Sequence, residues 1–174
     1  MTEDFLAVVE TKRFLGQEFL TWLVHRIEED AAPADAELSL GDRAVLADAA
    51  GDRLTVAGTG DARAEIGVGL RRGKLLDRAR LVIARGERRW ELSLDGGLLV
   101  YEGLRCPKLG PRDAGAHEDR RAAFENDLFL RLADVEEALA ILDGLFAEFC
   151  RLRGSAAWAA RELPALRAWV ERLG

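Results

Sequence analysis

Between residues 11 and 29 hydrophobic side chains recur every three or four positions: Phe14, Leu15, Phe19, Leu20, Trp22, Leu23 and Ile27. That period predicts an amphipathic helix. Thr11 can cap its start, and Pro33 lies past its end, in a small linker over 31–36. The period then drops to two. Residues 36–40 and 43–47 read as short strands. Arg53–Ala57 alternates between Gly51 and a turn at 58–61. Asp61 can cap a short helix over 62–72 that Gly73 stops, although Gly67 and Gly69 weaken it.

Three strands follow, over 76–84, Arg88–Asp95 and 98–104. In the second, Trp90, Leu92 and Leu94 alternate with Arg89, Glu91 and Ser93. Arg85-Gly86-Glu87 and Asp95-Gly96-Gly97 read as hairpin turns, Asp-Gly being a strong hairpin signal. A β-meander is the expected result. After a Pro- and Gly-rich loop over 107–115, a helix is expected over 118–153, broken near 125–127. Its apolar stripe is Leu132, Val135, Leu139, Leu142, Leu145, Phe146 and Phe149. Gly154-Ser155 sets off a last helix over 156–173, which Pro164 should kink or restart.

These elements predict an α+β fold: an antiparallel sheet with a central β-meander packed against amphipathic helices. Residues 1–153 form the domain, and 154–174 a C-terminal helical appendage. A chain of 174 residues, 49% hydrophobic and 32% charged, suits one folded unit and excludes disorder. No apolar run reaches the roughly 20 residues of a membrane helix. Met1-Thr-Glu-Asp leads to no signal-peptide pattern. Cys106 and Cys150 lack metal-ligand spacing, so a reduced cytoplasmic location is expected, with no metal and no cofactor.

Charge changes the picture. Residues 63–112 hold twelve Lys or Arg against six Asp or Glu, a block of +6 in a chain of net charge −6. The block coincides with the meander. Arg78 and Arg80 share one strand face, as do Arg89 and Glu91. Paired strands can set Arg78, Arg80 and Arg89 side by side, with Arg71, Arg72 and Lys74 at the edge, a field suited to phosphates along a duplex. Arg88, Arg105 and Lys108 extend it. The competing reading has these cations solvated and paired with Asp77, Glu87 and Glu91. No helix-turn-helix, zinc finger or RNP pattern is present, so base-specific readout is not expected.

Other chemistry is thin. The stretch from Gly67 to Lys74 lacks the first glycine and the Ser or Thr of a phosphate loop; Gly73 reads as a helix C-cap. Asp77, Glu87 and Glu91 sketch a nuclease centre only if they converge. His25 and His117 have no second histidine nearby in sequence. Cys106 sits among Arg105 and Lys108, which can lower a thiol pKa, yet without a nearby histidine it reads as packing. Trp158, Leu166, Trp169 and Val170 form one wide apolar face. That face either closes a surface within the chain or makes a homodimer contact.

The order of motifs resembles the C-terminal half of the RdgC family, bacterial recombination-associated, nucleoid-located proteins. Leu20-Thr21-Trp22-Leu23 is similar to its Leu-Thr-x-Trp segment, and Ala36-Glu37-Leu38 to its Ala-Glu-Leu stretch. Glu65-Ile66 followed by Leu70-Arg-Arg-Gly73-Lys74 resembles its Glu-Ile and Leu-x-x-Gly-Lys. The three strands match its strand, aromatic strand, and strand ending Leu-Lys-x-Leu-Lys-Phe. Phe124-Glu-Asn-Asp127-Leu-Phe-Leu and Leu142-x-x-Leu145-Phe146 complete the series. The resemblance implies a non-enzymatic protein that binds double-stranded DNA without sequence preference, in a nucleoid setting. In that family a ring-shaped dimer with a basic interior restrains RecA-driven recombination. Two departures stand out. The family's N-terminal half has no counterpart here, and its basic stretch before the Glu-Ile helix is replaced by 55–61. The expected phosphate contacts are Arg71, Arg72, Lys74, Arg78, Arg80, Arg88, Arg89, Arg105 and Lys108. The alternative is a protein-interaction or assembly module that has lost DNA binding.

Overall fold

The computed structural model describes residues 14–29, 36–58, 62–109 and 120–173. Helix α1 spans Phe14–Glu28; the expected cap at Thr11 lies outside the described residues. The two strands expected over 36–47 are one, β1, Glu37–Ala47. Its register slips between Leu40 and Ala44, where three β1 residues oppose the single Arg80. That bulge bends the strand and interrupts the alternation, which is why the sequence reads as two pieces. β2 spans Arg53–Ala57.

Helix α2, Ala62–Arg71, ends in a left-handed residue, Gly73, at φ 80°. The Gly73 amide donates to the Leu70 carbonyl and the Lys74 amide to Gly69, a Schellman cap. The glycines that weaken this helix in isolation let it pack closely. A Cβ on Gly67 would stand 2.6 Å from Leu173 Cβ, and one on Gly69 2.8 Å from Leu46 Cδ2.

The meander is β3, Leu75–Arg85; β4, Arg88–Asp95; and β5, Val100–Arg105. The second turn is longer than expected. Asp95 Oδ1 accepts the Leu98 amide at 2.9 Å, and Leu99 takes φ 54°. Leu98 and Leu99 therefore belong to the turn and not to the strand. The strand order is β2-β1-β3-β4-β5, antiparallel throughout, so the fold is α+β.

Helix α3 spans Arg120–Arg153 without the expected break. An Arg121–Glu125 pair supports the turn just before the expected break. Ala138, Leu142, Leu145 and Phe149 are buried, whereas Phe124, Leu128, Phe129, Leu130 and Leu132 are exposed. A π-helical turn, Trp158–Glu162, leads into α4, Leu163–Arg172, with Pro164 in its first turn. Proline, lacking an N–H, begins this helix instead of kinking it.

Helices α1 to α4 bury one face of the sheet. Leu38, Leu46, Leu76, Leu81, Ile83, Trp90, Leu92 and Leu94 face them in a single cluster. Around Phe19 the rings of Trp22, Phe146 and Phe149 stand 5.1 to 6.2 Å away. Trp158 and Trp169 belong to the same cluster. Trp22 Nε1 donates to Glu162 and Trp169 Nε1 to Glu28, at 3.3 and 3.2 Å. The C-terminal helix is thus part of the core, and its two tryptophans close a surface within the chain. As a contact between copies they are inaccessible; Leu166 and Val170, beside them, are half-buried.

Candidate nucleic-acid interface

The two-residue period of a strand sends alternate side chains to the face opposite the helices. On β3 these are Arg78, Arg80 and Val82; on β4 they are Arg89, Glu91 and Ser93. Register then decides the neighbours. Arg80 lies across from Ser93, Arg78 from Asp95, and Glu91 from Arg105 on β5. Arg43 enters from β1, two positions before Val45, which pairs with Arg78. A groove of about 410 Å³ lies among Arg43, Arg78, Arg80, Ser93, Arg105 and Asp42. Four arginines from three strands therefore share one depression.

Carboxylates thread through them. Arg78 bonds Asp95 at 2.8 Å and approaches Glu102 at 3.3 Å. Arg80 bridges Glu91 at 2.8 Å and Asp42 at 3.2 Å. Arg89 also holds Glu91, at 3.1 Å, and Arg105 stands 3.8 Å from it. Hydrogen bonds from Arg89 and Arg80 hold the Glu91 carboxyl below its ordinary pKa. Burial pushes the Asp95 carboxyl up. The Arg78 hydrogen bond and the Leu98 and Gly97 amides outweigh it, leaving that pKa lowered. The arginine side chains remain accessible, from 31% at Arg80 to 73% at Arg105.

The nine cations expected from sequence divide by location. Arg78, Arg80, Arg89 and Arg105 meet on the open face. Lys108 is exposed just beyond them, in a depression it shares with Arg89 and Arg105. The other four lie elsewhere. Lys74 is buried, with its ammonium bonded to Asp48 at 2.9 Å, Asp52 at 2.7 Å and the Asp52 carbonyl. Those bonds raise its pKa, that to Asp52 first. Arg88 points to the helical side, stacks on Trp90 at 4.7 Å and pairs with Asp134 and Glu137 on α3. Arg71 donates to the Val170 carbonyl in the last turn of α4. Arg72 is exposed at the end of α2. Arg43 was missed, although its spacing to Val45 places both on one face. Of the acids expected as partners, Glu91 pairs with Arg80, Arg89 and Arg105, while the other pairs of Arg78 and Arg80 go to Asp42, Asp95 and Glu102 in place of Asp77 and Glu87.

Asp77 and Glu87 sit at opposite ends of β3, so the sketched nuclease centre does not assemble. Among the described residues no three His, Cys, Asp or Glu side chains are placed to hold a metal. Burial, then Asp134, pushes the Cys106 thiol up against the opposing Arg131, so its basic neighbours do not activate it. His25 is buried against Trp169 at 5.3 Å, with Nδ1 lacking a partner among the described residues; His117 lies outside those residues. No described helix is long and apolar enough to cross a membrane. No protein-family model matches the chain, and no curated protein matches it.

Proposed function

We propose that this chain is a non-enzymatic, sequence-independent double-stranded-DNA-binding protein of the RdgC kind, acting in recombination or nucleoid control through the open face of its sheet. The observation that carries this reading is the groove where Arg43, Arg78, Arg80 and Arg105 converge. Each guanidinium offers several donors in a plane, which suits phosphate oxygens. Solvent-exposed ion pairs of the kind these arginines make contribute only about 0–1 kcal/mol. Phosphates can therefore replace Asp42, Glu91 and Glu102 as partners at small cost. Arginines that bond phosphate oxygens position a duplex without reading its sequence.

The test is a titration of the full chain against two unrelated duplexes at two salt concentrations. Equal affinities that fall steeply with salt are expected. Four phosphate contacts give a slope near −3.6 in log K against log salt, at about 0.9 per contact. Absence of duplex binding at low salt overturns the reading.

A second reading is favoured by one observation: the arginines of this face already have carboxylate partners inside the fold. A protein-interaction or assembly module that has lost DNA binding would look like this. It is the reading that remains if the titration is blank.

A further inference from the structure

Trp158 and Trp169 enter the core from the C-terminal segment, yet that segment keeps apolar side chains the core does not enclose. Leu163, Leu166 and Val170 stand at three- and four-residue steps along α4, so they share one side of it. All three are only half-buried. Across from them lie Leu70 and Arg71, at the end of α2. Together with Trp158 they line a groove of about 640 Å³. That volume suits one small molecule, and an apolar floor is what such sites share.

The polar groups of the lining identify the occupant. Most already have partners. The Thr21 hydroxyl donates to the Gln17 carbonyl at 2.8 Å and accepts the Leu76 amide at 3.1 Å. Glu18 is held by Arg153 at 2.7 Å. Lys74 offers only its stem, because its ammonium is bound to Asp48 and Asp52. Two guanidinium groups remain open. Arg71 gives one bond, 3.2 Å long, to the neutral Val170 carbonyl, which leaves its charge unbalanced and its other donors free. Arg167, next to Leu166 and exposed, has no partner among the described residues; Glu171, one turn on, is not bonded to it. Apart from Lys74, the lining sets three arginines, Arg71, Arg153 and Arg167, against two carboxylates, Glu18 and Glu171, a net charge of +1. An apolar floor beside open guanidinium groups, with one excess positive charge, is complementary to an apolar body that carries one carboxylate, the anion arginine holds most strongly.

We propose that the groove between the end of α2 and α4 binds a small amphipathic monocarboxylate, an anion of the fatty-acid class. Its carboxylate lies on Arg167 and Arg71, and its chain along Leu70, Leu166 and Val170. The site is on the helical side of the molecule and uses none of the arginines that converge on the open sheet face. It is therefore independent of what that face binds.

Octanoate is the probe, with octan-1-ol and acetate as its apolar and charged halves. Titrations of the full chain are followed by amide chemical shifts. Saturable octanoate binding is expected, at least about tenfold tighter than either half. The shifts should centre on Leu70, Leu166, Arg167 and Val170. Absence of saturation up to about 10 mM overturns the proposal. Equal affinity for octan-1-ol, which needs no cation, or for acetate, which needs no apolar floor, also overturns it. So do shifts centred on the exposed Phe124 and Phe129 of α3, the mark of adsorption to any apolar surface. Arg167→Glu, at an exposed position, should weaken octanoate binding at least about tenfold and leave the melting transition unchanged. Arg72→Glu makes the same change of charge at an exposed position outside the groove and should have little effect. Equal losses in the two variants would show that net charge and not the groove draws the anion, and overturn the proposal.

Discussion

The two faces of the sheet are built from the same five strands and neighbouring residues, yet they obey different rules. On the helical face nearly every position is apolar and buried, and its polar groups are tied down: Trp90 Nε1 donates to the Asp134 carbonyl at 2.9 Å. On the other face arginines and carboxylates alternate and stay accessible. Basic residues show the contrast most directly. Lys74 and Arg88, on the helical side, are held by two carboxylates each, and Lys74 is buried. Arg78 and Arg80 have equally short bonds but remain partly in water. Position relative to the core therefore decides whether a positive charge serves the fold or is available to a ligand.

Removing what covers the helical face is the severest way to test this contrast. Truncation of residues 155–174 takes Trp158, Trp169 and Leu173 out of the core cluster. Loss of a buried aromatic typically costs about 3–5 kcal/mol, so two of them rival the whole 5–15 kcal/mol stability of a domain. Loss of the cooperative thermal transition is expected. A truncated protein that melts like the full chain would show the C-terminal helix to be a mere appendage after all.

Within one strand, adjacent residues give the next largest difference. Trp90 is completely buried, and Trp90→Ala should destabilise by about 3–5 kcal/mol in a denaturant melt. Arg89, on the open face, should lose at most a few tenths on change to Ala. Similar effects at both positions would mean that the faces are misassigned.

Acid probes the helical side at His25. Burial lowers its pKa below 6.5, joined by Arg26 and Arg172, while Glu29 and Glu162 pull it back up. With the folded pKa below the unfolded one, the unfolded chain takes up the proton first. Stability should therefore fall as pH drops through 6.5 towards the folded value. His25→Gln should flatten that part of the profile. The lowered carboxyls of Asp48, Asp95 and Glu91 act only further down, below their ordinary range. A wild-type profile flat between pH 7 and 5 would remove His25 from this account.

How much of this is legible in the sequence depends on range. The Arg88–Asp95 strand was read to the residue, because Trp90, Leu92 and Leu94 alternate between two marked turns. Errors arose where one residue's side chain or a neighbouring strand overrides a local signal. Asp95 captures the Leu98 amide and lengthens the turn, and the Arg80 bulge hides the continuity of β1. The candidate site was harder to read for the same reason. The charge block was visible, but the acids that sort it are distant in sequence. Asp42 lies 38 residues from Arg80, Asp48 26 from Lys74, and Asp134 46 from Arg88. Only the fold brings them together. The two-residue period that turns Arg89 outward also places Arg88 on the face of Trp90, so its inward position was legible although it was expected among the phosphate contacts.

The smallest effect on stability carries the most about function. Arg78→Ala with Arg80→Ala breaks the pairs to Asp95, Glu102, Glu91 and Asp42. Those to Glu102, Glu91 and Asp42 are surface pairs, and the buried Asp95 carboxyl keeps its bond from the Leu98 amide, so the melting transition should shift little. The double change leaves Asp42, Asp95 and Glu102 without their arginine partners and Glu91 held only by Arg89 and Arg105, which makes the local field more negative. Duplex binding should weaken by a similar factor for every sequence, and the salt slope should shrink by about 1.8, or 0.9 for each lost contact. Lys74→Met should behave oppositely: it lowers the melting transition and leaves the slope unchanged, because Lys74 is enclosed behind Asp48 and Asp52. If both variants alter the slope equally, binding reads total charge and not the open face. If Arg78→Ala with Arg80→Ala lowers the melting transition as far as Lys74→Met does, those arginines belong to the fold, and the distinction between the two faces fails.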